Sequence, residues 1–131
     1  MSKPICFADF QPGITLGERV ETYGTNMAHA WQSIFGQNQD DGSAEAASVA
    51  VVLSMRAFLG VVAPRPPGNV HAREQFTLAS LPRLGEEVRT VVSCTAKEIK
   101  RERFYVDLEV NGTGDGGRVL FTGRMSLIWA A

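Results

Sequence analysis

Twenty consecutive residues, Ser43 to Val62, read S-A-E-A-A-S-V-A-V-V-L-S-M-R-A-F-L-G-V-V and hold only five polar side chains. Those are Ser43, Glu45, Ser48, Ser54 and Arg56. No glycine or proline interrupts the run before Gly60. A helix that is apolar on every side is a buried one. The run is as long as a membrane span, but Glu45, Arg56 and its richness in Ala and Ser favour a core helix. Several long strand-like stretches follow it. The pattern therefore predicts one buried rod with a sheet wrapped round it.

At 131 residues the chain fits one domain with a full core, over residues 1–131. A net charge of −1 argues against a nucleic-acid partner held by counterion release. Cys6 and Cys94 are far apart and form no C-x-x-C pattern, so both read as free thiols in a reducing compartment. The opening M-S-K-P-I-C-F-A-D-F lacks the apolar core of a secretory signal. The expected location is cytoplasmic, with no membrane partner. His29 and His71 stand alone, and no Cys, His or acid cluster has ligand spacing, so no metal is expected.

Taken in order, Ile14–Tyr23 reads as a first strand after the Pro12-Gly13 turn. A short helix follows, with Thr25 or Asn26 as N-cap and Met27, Trp31, Ile34 and Phe35 as its apolar face. Gly36 to Gly42 is polar and turn-forming, and Asp41 or Ser43 is placed to cap the long helix. Pro64, Pro66 and Pro67 stop its continuation. Val70–Leu81 has β character. Glu87–Ile99 puts Val88, Thr90, Val92, Cys94 and Ala96 on one face. Phe104, Val106, Leu108 and Val110 alternate cleanly with polar residues. Asn111–Gly117 reads as a turn, and Arg118–Trp129 as the last strand. Tight connections imply an antiparallel meander. The order satisfies an α+β hotdog architecture, a curved antiparallel sheet around one long central helix.

Several stretches resemble the MaoC-like branch of that fold, which includes the (R)-specific enoyl-CoA hydratases and dehydratases. Phe10-x-Pro12-Gly13-x-x-Leu16-Gly17-Glu18-Arg19-Val20 looks like its first strand. Trp31-x-x-Ile34-Phe35-Gly36 matches the short helix, and Met55 to Gly60 with Pro67-Gly68 the central helix and its exit. Phe76, Pro82, Gly85 and Val88 resemble the F…P…G-x-x-V signature that enters the meander. The resemblance implies a homodimer, with higher oligomers open. It also implies an acyl thioester of coenzyme A or of a carrier protein's phosphopantetheine as ligand, with no further cofactor, and hydration of an enoyl thioester or its reverse.

That family supplies an Asp and a His from a G-D-x-N-P-x-H segment to activate the water. Aligning on Gly36 puts Gln37 at the Asp position and Gly42 at the His position. The resemblance thus implies altered or lost catalysis. Three functions remain open: a hydratase or dehydratase with other groups, a thioesterase using a carboxylate at the start of the helix, and a non-catalytic subunit of a hydratase assembly. Candidate catalytic carboxylates are Asp40, Asp41 and Glu45. Glu45 shares one helix face with Ser48, Val52 and Arg56, and an acid on an apolar helix needs a partner, water or a task. Gly42 and Ser43 offer the backbone N–H groups of the helix start to a thioester carbonyl. His71, approaching from a dimer mate, and Arg73 are candidate substrate contacts. Arg65, Arg83, Lys97, Lys100, Arg101 and Arg103 join Arg73 as candidate partners of the carrier's phosphates.

Overall fold

The computed structural model describes residues 3–36 and 42–130. Among them are five strands and two α-helices: β1 (Thr15–Thr22), α1 (Thr25–Phe35), α2 (Ser43–Val61), β2 (Val70–Leu78), β3 (Glu87–Lys100), β4 (Arg103–Thr113) and β5 (Val119–Trp129). The strands form one antiparallel sheet in the order β1-β3-β4-β5-β2. The helix α2 packs on that sheet, as the apolar run predicts.

Burial along α2 is one-sided. Glu45 and Ala46, Val49 and Ala50, Leu53 and Ser54, and Ala57 and Phe58 are buried, in pairs one turn apart. Val51, Val52 and Leu59 on the other side are each more than 40% exposed (43%, 43% and 45%). The expectation of burial all round is corrected here: one sheet covers one side of a rod, and α1 covers only part of the rest. The buried stripe meets Val88, Val92, Val106, Leu108, Val110, Leu120 and Phe121 of the sheet. Burying each large side chain contributes roughly 1.5–3 kcal/mol. The N-terminal segment closes one end, with Phe10 edge-on to Trp129 and the Trp129 indole N–H donating to Ile5 O at 2.7 Å.

Local chemistry overrode several expectations. Gly24, not Thr25 or Asn26, is the N-cap of α1, and Gly42 rather than Ser43 is the N-cap of α2, in the left-handed region at φ 87°. Asp41 lies outside the described residues. A register shift between Cys94 and Ala96 turns Ala96 outward while Cys94 stays buried. Asn111 is not in a turn: β4 continues through it, pairing with Thr122, and the chain reverses only over Gly114–Arg118. The strand β2 ends at Leu78, because Ala79 and Ser80 both turn their N–H groups to Leu120 O. The apolar residues of α1 are half open: Ile34 is 75% and Phe35 65% exposed.

Candidate active site at the start of the central helix

Glu45 stands in the first turn of α2 and is 5% exposed. The Tyr23 hydroxyl donates to its Oε2. The Gln32 amide, from α1, donates to its Oε1 at 3.0 Å. Three separate elements therefore meet on one carboxyl group. Tyr23 leaves β1 just before α1, and the main chain holds it on both sides: its N–H donates to Glu86 O at 2.9 Å, and its carbonyl accepts from Gly85 N–H at 2.7 Å. Burial pushes the Tyr23 phenol well above its usual range, and the hydrogen bond to Glu45 and that group's charge add to the effect. Tyr23 thus keeps its proton and acts as a donor. A carboxylate in this first turn also gains from the positive end of the helix dipole.

A cleft of about 640 Å³ opens beside this group. Tyr23, Gly42, Ser43, Glu45 and Ala46 line one wall, and the loop from Ser80 to Leu84 and Arg118 line the other. That opposite wall is anchored by a second buried acid. Glu86 accepts from the Arg83 N–H at 2.9 Å, the Asp115 N–H at 2.8 Å and the Arg118 guanidinium at 2.5 Å. Burial pushes the Glu86 carboxyl upward, but these three donors outweigh it and hold the group below its ordinary value. Gly114 allows this approach, since a Cβ there would lie 2.1 Å from Glu86 Oε2.

Gly42, Ser43 and Glu45, expected from the sequence, are brought together here. Asp40, Asp41 and Gln37 lie outside the described residues. His71 and Arg73 sit on β2, at the edge of the sheet, and do not line this cleft. His71 lies beside the Phe58 ring and 3.6 Å from Glu74. Arg73 borders a separate hollow of about 390 Å³ on the outer sheet face. There Arg124 pairs with Glu109 and Ser126 donates to Asp107, so the polar groups satisfy one another. Of the candidate phosphate-binding cations, Arg83 borders the Glu45 cleft. Sequence reasoning missed Tyr23 and Gln32. The signal was there in principle, because a buried acid demands donors, but only the fold shows which residues supply them. No group of three or more metal-ligating side chains occurs among the described residues.

No protein-family model matches the chain, and no curated protein sequence matches it. Solved structures do. The fold is similar to a MaoC-like dehydratase from Rhodospirillum rubrum, with a TM-score of 0.78 and 14% identity over 95% of this chain and 96% of that one. It is also similar to the (R)-hydratase PhaJ1 from Pseudomonas aeruginosa, with a TM-score of 0.70 and 14% identity over 96% of this chain and 86% of that one. It is similar as well to a chain of the ChsH1–ChsH2 complex from Mycobacterium tuberculosis, with a TM-score of 0.67 and 14% identity over 91% of this chain and 98% of that one. One antiparallel sheet on one long helix, with these neighbours, makes the chain an α+β hotdog fold, similar in structure to MaoC-like dehydratases and (R)-hydratases.

Proposed function

We propose that the protein acts on acyl thioesters by hydratase or dehydratase chemistry, with Glu45 as its acid–base group. The observation that carries this reading is the buried Glu45 carboxyl, held by Tyr23 and Gln32 on the wall of a cleft at the start of α2. In hydration of an enoyl thioester, Glu45 takes a proton from water as the water oxygen bonds to C3. The same proton equivalent returns to C2, so the carboxylate is regenerated. Negative charge that gathers on the thioester oxygen meets the backbone N–H groups at Ser43 and the positive end of α2. Tyr23 and Gln32 fix the carboxyl's orientation throughout. Coenzyme A or phosphopantetheine enters only as the carrier of the acyl group.

One carboxylate and no histidine line the cleft among the described residues. That favours thioester hydrolysis as the second reading, since it needs a base for water but no proton delivery to carbon. A role as one subunit of a hydratase assembly is the third, in line with the two-component ChsH1–ChsH2 neighbour. The strand β2 supports association with a second chain. It is an edge strand, and every residue but Phe76 is exposed. A homodimer through β2 covers that edge.

The test uses crotonyl-CoA with the purified protein. Loss of the enoyl absorbance on adding wild-type protein, and its persistence with Glu45→Gln, is the expected result. Free thiol release from acyl-CoA without enoyl loss moves the assignment to the second reading. Neither reaction, with acyl-CoA still raising the melting temperature, moves it to the third.

A further inference from the structure

The Glu45 cleft holds two guanidinium groups, and they are not equivalent. Arg118 is engaged within the fold: one nitrogen donates to Glu86 Oε1 at 2.5 Å and another to Leu81 O at 3.1 Å. Arg83 lines the same wall, yet only its backbone is engaged. Its N–H donates to Glu86 Oε1 at 2.9 Å, and its carbonyl accepts from the Glu86 N–H at 2.9 Å. Among the described residues no acid pairs with the Arg83 side chain, whereas Arg19, Arg56, Arg89, Arg118 and Arg124 each meet a glutamate. Glu86 is matched by Arg118 and does not line the cleft. The cleft therefore carries one cation without a counter-charge.

The turn that carries this cation is fixed relative to Glu45. Residues 83 to 86 close on themselves through the two Glu86 bonds, with Gly85 in the left-handed region at φ 89°. Pro82, just before them, is buried and has a restricted backbone. The Gly85 N–H donates to Tyr23 O at 2.7 Å, and the Tyr23 hydroxyl donates to Glu45. One residue, Tyr23, thus ties the Arg83 turn to the carboxyl across the cleft. Leu81 and Leu84 stand beside Arg83 on that wall, 37% and 59% exposed. The volume of about 640 Å³ is within the range of small-molecule sites. One wall suits a thioester carbonyl, and the facing wall presents apolar surface and an open cation.

We propose that Arg83 makes the cleft selective for acyl groups that end in a carboxylate, so that short dicarboxylic thioesters bind in preference to neutral ones of the same length. The inference rests on the acyl-thioester reading above. A guanidinium gives a carboxylate two parallel donors, a stronger and more directional contact than a point charge. The carrier's phosphates fit this position less well. The pantetheine arm holds them far from the sulfur, while Arg83 stands on a turn tied to the residue that binds Glu45. A carboxylate a few bonds from the reacting carbons matches that placement.

Calorimetric binding of glutaryl-CoA and valeryl-CoA, which differ only in a terminal carboxylate against a methyl group, tests it on the full chain without requiring turnover. Wild-type protein should bind glutaryl-CoA about tenfold more tightly, and added salt should narrow the margin. Arg83→Gln keeps both backbone bonds to Glu86, so the melting temperature should hold. It should weaken glutaryl-CoA about tenfold and valeryl-CoA less than about twofold. Arg83→Lys should restore part of the preference, since it keeps the charge and loses the fork. The N-acetylcysteamine thioesters of the same two acids lack phosphate, and should show the same preference and the same loss. Equal wild-type affinity for the two CoA thioesters, or a glutaryl-CoA affinity that Arg83→Gln leaves unchanged, overturns the assignment while the thioester reading stands. Equal weakening of both CoA thioesters by Arg83→Gln, absent with the N-acetylcysteamine thioesters, places Arg83 on the carrier's phosphates and also overturns it. Binding of no acyl thioester at all overturns both.

Discussion

Glu45 and Glu86 are both buried acids, 5% and 3% exposed, and Tyr23 links them: its hydroxyl binds one and its backbone the other's residue. They are built differently. Glu86 takes two main-chain N–H groups and a guanidinium, from three separate loop positions. Those donors favour the charged form and fasten the β2–β3 loop to the β4–β5 turn. Glu45 takes a phenol and a carboxamide, both on side chains, and it borders an open cleft. A carboxylate locked by charge and backbone is a joint. A carboxyl that accepts from side-chain donors at the edge of open space is suited to exchanging a proton. The joint also serves the second group, because the loop it secures carries the Gly85 and Glu86 backbone atoms that hold Tyr23.

Breaking the joint should have the largest effect on stability. Glu86→Ala leaves Arg118 and two loop N–H groups without their acceptor, at a cost of about 3–5 kcal/mol. Thermal unfolding should show a midpoint lower by roughly 10 °C or more. A change under 1 kcal/mol would remove Glu86 from this role. Gly114→Ala attacks the same joint by volume, and forcing the loop apart should cost about 1–3 kcal/mol in the same assay.

Tyr23→Phe probes the link between the two acids. Loss of one hydrogen bond to Glu45 should cost about 1 kcal/mol, with turnover falling more than substrate binding. It should also alter the alkaline limb. Because the folded state raises the Tyr23 pKa, its contribution is complete below the ordinary value of 10.0 and is lost as pH rises above it. Tyr23→Phe should flatten that decline, and an unchanged alkaline unfolding curve contradicts the assignment. The acid limb gives the smallest signal. The Glu86 pKa is lowered in the fold, so its stabilisation is full above the ordinary 4.5 and is lost as pH falls towards the folded value. Glu86→Gln should make unfolding less steep with pH below that point.

Much of this fold is legible in local pattern. The α2 boundaries follow from the apolar run and the prolines after it, and β4 from strict alternation at Phe104, Val106, Leu108 and Val110. Tertiary facts are not legible in that way. Whether Val51, Val52 and Leu59 are covered depends on how much sheet faces the helix, not on the helix's own composition. The outward turn of Ala96 depends on a register shift that period-two counting does not detect. For the site, Glu45 announces itself as an acid in an apolar run. Tyr23 and Gln32 do not, since a tyrosine ending a strand and a glutamine on a short helix are ordinary residues until the fold places them on one carboxyl group.

The most direct test of the account is steady-state kinetics of Glu45→Gln on crotonyl-CoA beside calorimetric binding of butyryl-CoA. The account predicts kcat lower by at least a hundredfold, the usual scale for losing an acid–base group, with binding changed less than threefold and the fold intact. Turnover within twofold of wild type would contradict it.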